Sequence, residues 1–137
     1  MDEAFRILDD GRVFFDYGPA SMVVTARRGD EDFSDLAASA FPFLRDSLSE
    51  IAGALPILRQ YPDGMDYSEL TGLPRVMAES VLATGEPTLT PMAAVAGTVA
   101  DAMADWLFAR GADAVIAAEH ENLEKYSARP YQQALTQ

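Results

Sequence analysis

The chain has 137 residues, no cysteine, one histidine, and 22 acidic against 10 basic side chains, for a net charge of −12. That length suits one domain with a sizeable core, and a hydrophobic share of 49% is that of a globular chain, not a disordered one. The composition excludes disulfides, thiolate catalysis and cysteine-held zinc or iron–sulfur centres in this chain, and its acidity disfavours nucleic acid and anionic membranes as partners.

The N-terminal MDEAFRILDDGR is acidic and lacks the apolar stretch of a secretory signal. The longest apolar run is interrupted at Asp101, so no membrane span is expected and the chain reads as cytoplasmic. RVFFDYGPASMVVTARR predicts two strands joined at Gly18-Pro19, with Phe14, Tyr17, Met22, Val23 and Val24 as strand-type side chains. Asp30 or Asp32 then caps a helix carrying Phe33, Leu36, Ala37 and Ala40 at helical spacing. Pro42 either kinks that helix or opens a second one, and Phe43, Leu44, Leu48, Ile51, Ala52 and Leu55 continue its apolar stripe. ALPILRQYPDGMDYSELTGLP reads as a loop with a turn at YPDG, and its acidic spacing matches no calcium loop. PRVMAESVLATG predicts a short helix over 74–83 closed by Gly85.

TPMAAVAGTVADAMADWL, residues 90–107, predicts a central helix with Thr90 as N-cap, Pro91 in first position and Gly111 past the end. Met92, Val95, Val99, Met103 and Trp106 form one apolar stripe. Gly97, Asp101 and Asp105 recur at i, i+4 and i+8 on another face, among Ala93, Ala94, Ala100 and Ala104. Residues small or apolar all round predict a helix buried on most sides. Two like charges one turn apart repel each other. Their face is therefore wet, bridged to Arg75 or Arg110, or covered by a cation or ligand, with magnesium or calcium suited to oxygen-only ligands. GADAVIAA, residues 111–118, predicts a turn and a buried strand in a mixed sheet, hence an α/β (α+β) fold. His120, in the polar run EHENLEKY, reads as an exposed histidine. No nucleophile-elbow pattern accompanies it, and no catalytic residue is assigned.

TPMAAVAGTVADAMA resembles the uncharacterised branch of the ApbE-like superfamily, whose named members are FAD:protein FMN transferases. DYGP before an apolar strand, LPILR at the end of the long helix and GADAVIAA agree, so the likeness covers about residues 12–118. VADAMADWL is also similar to the ADALATAL segment with which flavin transferases hold magnesium. Asp101 takes the aspartate position and Asp105 replaces a threonine. The resemblance implies an ApbE-like domain, partial, over 1–118 and a divergent polar segment over 119–137, because the Asn-Gly-Gly-Asp loop expected after the central strand is replaced by EHENLEKY. It implies a flavin (FAD or FMN) or nucleotide ligand near Thr90, Gly97, Thr98 and Asp101, and magnesium at Asp101 and Asp105. It also implies a link to sulfide incorporation into homocysteine and, because a half-length member would leave strand 114–118 short of sheet neighbours, a homo-oligomer. A non-catalytic accessory or assembly subunit and a small-ligand binding protein remain the alternatives.

Overall fold

A computed structural model describes residues 5–17, 20–63 and 66–119. Two compact units share the chain: one combines the chain up to Phe43 with the chain from Ala100, and the other is Leu44–Val99.

The first unit is built on a five-stranded sheet: β1 (Phe5–Ile7), β2 (Val13–Tyr17), β3 (Ala20–Arg28), β4 (Glu31–Asp32) and β5 (Ala114–Glu119). β3 is the hub. β2 lies along its first half, Arg27 faces Asp32 of β4 on one edge and Ala114 of β5 on the other, and every pairing is antiparallel. The sheet is therefore antiparallel throughout where a mixed one was expected, within the α+β class that was expected. The difference lies in β5, whose direction after the long helical excursion no local pattern encodes. Register places Val13 opposite Val24 and Phe15 opposite Met22, so these side chains share one face. That face is the core: Val13, Phe15, Met22, Val24 and Ala26 are buried. α1 (Ser34–Ala38) packs against β1, β2 and β3, and Phe41 closes an aromatic cluster with Phe5, Phe15 and Tyr17.

The N-cap of α1 is Phe33, which makes no side-chain cap, and not Asp30 or Asp32; from one position earlier Asp32 Oδ1 accepts from the Ser34 amide at 3.0 Å. The chain breaks at Ser39–Ala40, and α2 (Phe41–Ala52) opens with Pro42 in its first turn, where a missing amide is harmless. Gly18 and Pro19, the expected joint between β2 and β3, lie outside the described residues, as do Gly64 of YPDG and His120.

In the second unit the segment read as a loop contains a short helix, α3 (Leu55–Leu58), with Pro56 at its start. α4 (Gly72–Thr84) ends at Gly85, whose φ of 71° is the left-handed stop a glycine provides. Its start is unusual. Thr71 makes no side-chain cap, and Glu50 of α2 reaches over to accept from the Leu73 amide at 3.1 Å. A 3₁₀ turn (Pro91–Ala94) leads into α5 (Val95–Phe108), the central helix of the sequence reading.

Candidate functional site

α5 is amphipathic, which corrects the expectation of burial on most sides. Val99, Met103 and Leu107 are buried, whereas Gly97, Asp101, Asp105 and Phe108 are exposed. At 3.6 residues per turn these four exposed positions fall within an arc of about 80°. The reason for the misreading is physical. Alanine and glycine carry so little apolar surface that facing them to water costs little, so a small-residue face does not reveal its surroundings. Leu107, omitted from the expected stripe, is fully buried, and Trp106 moves to the half-buried flank.

The face itself is open. A Cβ at Gly97 would meet no heavy atom within 4 Å. Asp101 and Asp105 follow at one-turn intervals, and neither forms a salt bridge among the described residues. The two arginines that might have neutralised them are engaged elsewhere: Arg75 pairs with Glu79 at 3.0 Å, and Arg110 lies over the Trp106 ring at 3.7 Å. Asp105 also stands in the last turn of α5, where the helix dipole favours cations, and no basic residue occupies that turn.

Thr98 borders the same arc but is only 6% exposed and makes no side-chain hydrogen bond among the described residues. Thr90 takes the extended N-cap conformation before the 3₁₀ turn, yet its hydroxyl caps nothing. The backbone thus brings Gly97, Asp101 and Asp105 onto one exposed helix face, with Thr98 at its buried border and Thr90 before the first turn.

Among the described residues no group of three or more His, Cys, Asp or Glu side chains is arranged to hold a metal. Two carboxylates alone suit a hard cation that keeps several waters and takes its remaining ligands from phosphate, which is the habit of magnesium and not of calcium in an all-protein cage. An acidic concavity of about 460 Å³ is lined in part by Asp9, Asp10, Asp32 and Asp35, and two of these carboxylates serve the fold. Asp10 is bridged to Arg12 at 2.8 Å, and that hydrogen bond holds its carboxyl below the usual aspartate value. Asp32 receives the Ser34 amide and hydroxyl.

Ser47, with no distinguishing motif around it in the sequence, is 4% exposed on α2 and likewise makes no side-chain hydrogen bond among the described residues. A serine inside the stripe Leu44–Leu48–Ile51 was its only signal.

The family described as AbpE bacteria matches residues 5–119. No curated protein and no solved structure matches the chain. The family span takes in all five strands and the whole of α5, and on that span the chain belongs to the AbpE bacteria family.

Proposed function

We propose that the chain binds a phosphate-bearing flavin or nucleotide together with magnesium, on the exposed face of α5. One observation carries the reading: Asp101 and Asp105 stand one turn apart on an open, glycine-cleared face with no counter-charge among the described residues. In this reading Asp101 and Asp105 hold the cation, Gly97 gives the ligand access to the helix backbone, and Thr98 and Thr90 supply hydroxyls to polar ligand atoms. A flavin, when bound, brings the redox chemistry of its own ring, and this chain binds and orients it. The likeness of VADAMADWL to the magnesium-holding segment of flavin transferases supports the same assignment, and a role in sulfide incorporation into homocysteine is supported by that likeness alone. Flavin absorbance in protein purified without added cofactor supports the reading. Protein that stays colourless and takes up no FAD or FMN when mixed with magnesium opposes it.

A specific observation favours a second reading, an accessory or assembly subunit. β5 is paired on one edge by β3, and among the described residues its other edge has no partner strand, while Ala114–Ala118 carry neither charge nor proline to block pairing. In this reading the chain is a homo-oligomer. Light scattering showing assembly at micromolar concentration supports it, and a monomer throughout opposes it. Among the described residues no helix is long and apolar enough to cross a membrane.

A further inference from the structure

The outer side of α4 carries a feature that the α5 site does not use. Leu82 is 49% exposed and forms the wall between two depressions within the second unit. One, of about 360 Å³, is lined by Val81, Pro62 and Pro87 and edged by Asp63 and Glu86. The other, of about 250 Å³, has Ala78 and Tyr67 at its floor and the Arg75–Glu79 pair at its edge.

The walls are fixed before any partner arrives. Thr84 Oγ1 donates to the Val81 carbonyl at 2.7 Å and accepts from the Glu86 amide at 3.1 Å. Thr88 donates to Glu86 Oε2 from its amide at 3.1 Å and from its hydroxyl at 2.5 Å. Those bonds, the hydroxyl's first, hold the Glu86 carboxyl below the usual glutamate value, so it stays ionised. On the other side the Tyr67 hydroxyl donates to the Gln60 carbonyl at 3.1 Å, two residues before Pro62. Among the described residues neither Asp63 nor Glu86 has an ion-pair partner, whereas the only cation lining either depression, Arg75, is already paired.

We propose that the Leu82 ridge is a docking surface for a cationic segment of another protein that carries two apolar anchors about one helical turn apart. The two depressions would take the anchors, and Asp63 and Glu86 would meet the positive charge. Shape complementarity and preorganisation supply the affinity, and the two carboxylates, that of Glu86 held in place by Thr88, select the sign of the partner. The proposal is independent of the α5 site.

The test uses the full chain, labelled with ¹⁵N, and three short synthetic helical peptides that share one leucine pair a turn apart but are flanked by lysine, glutamate or serine. The lysine peptide should move the amide signals of Ala78, Leu82 and Gly85. Its affinity should fall roughly tenfold in Leu82→Ala, as for an anchor at an interface centre. Leu82 is half-exposed, so that variant should keep its fold, which circular dichroism checks. Glu86→Gln should weaken the salt dependence of binding and leave the same signals moving. Four results would each overturn the proposal: no shift with the lysine peptide, equal binding of the glutamate peptide, unchanged binding by Leu82→Ala, or movement of the same signals with protein concentration alone, which would make a second copy the occupant.

Discussion

Arg110 lies flat against Trp106, its guanidinium 3.7 Å from the ring centroid, and its Nη1 donates to the Trp106 carbonyl at 3.0 Å. Phe43 stacks with the same indole at 6.0 Å, so the arginine belongs to a ring stack and not to the nearby carboxylate of Asp105. Arg110→Ala should therefore cost about 0.5–1 kcal/mol through lost stacking. It should also leave the effect of Asp105→Asn unchanged, because residues that do not interact show additive effects. Trp106 is the only tryptophan, and its emission should shift to the red in Arg110→Ala. A strong coupling between Arg110 and Asp105 in a denaturation cycle would restore the salt bridge that the geometry rules against.

Glu50 and Gly72 make a second testable pair. Gly72 has φ of 61°, and a Cβ placed there would collide with the Glu50 carboxylate that caps α4. Glu50→Ala should cost about 1 kcal/mol, as loss of a helix cap does. Gly72→Ala should cost more, about 1–2 kcal/mol from backbone strain before any clash. The double variant should be more stable than the two losses added together, because removing Glu50 clears the clash. Simple additivity would mean that the two residues do not meet.

Ser47 and Thr98 are buried hydroxyls without side-chain partners among the described residues. A buried, unpaired polar group is destabilising, so Ser47→Ala and Thr98→Val should melt at or above the wild-type temperature. If Thr98 serves a ligand, Thr98→Val should gain stability and lose flavin binding together, a trade familiar at functional positions. A drop of several degrees in both variants would show that the hydroxyls are satisfied.

The pH profile should have two limbs. Asp10, Asp66 and Glu86 are held below ordinary values of 3.8, 3.8 and 4.5, in each case first by a hydrogen bond: from the Arg12 side chain, the Ser68 amide and the Thr88 hydroxyl respectively. Groups lowered in the folded state stabilise it above their unfolded values, and that contribution is lost as pH falls through the folded ones. All three are exposed, so the effect is small. Against it, the net charge of −12 makes self-repulsion strongest at neutral pH, easing toward the isoelectric point near 4.2. The melting temperature should therefore rise modestly from pH about 7.5 to about 5.5 and fall below pH about 4. A monotonic fall from neutrality would show that local carboxylate bonds outweigh the repulsion.

Much of this was legible in the sequence because local chemistry decided it. Strand-type side chains from Phe14 to Val24 marked β2 and β3, although Val13 and Phe15 carry the buried face of β2; Pro42 marked a kink or a new helix, Gly85 a helix stop, and the i, i+4 spacing put Asp101 and Asp105 on one face. What was not legible depended on distant neighbours. β1 and β4 are too short to show a period, and α3 was hidden because Pro56 opens a stretch whose further prolines and glycines, Pro62, Gly64 and Gly72, read as loop. The cap on α4 comes from Glu50, 23 residues away in the chain, where no capping motif points. The exposure of α5 could not be read from alanine and glycine, which are at home on either side of a protein surface.

If Asp101 and Asp105 hold a cation whose shell a phosphate-bearing ligand completes, metal and ligand must bind cooperatively and through both carboxylates. Calorimetric titration of magnesium and FAD, separately and together, into wild type, Asp101→Asn and Asp105→Asn tests it most directly. Magnesium alone should bind weakly, because two carboxylates make an incomplete shell, and FAD should bind markedly more tightly in its presence. Either asparagine variant should reduce that coupling by roughly tenfold or more, with the fold unchanged. Equal heats from wild type and both variants, or no heat from any of them, would contradict it and leave the two aspartates as ordinary charges on a helix surface.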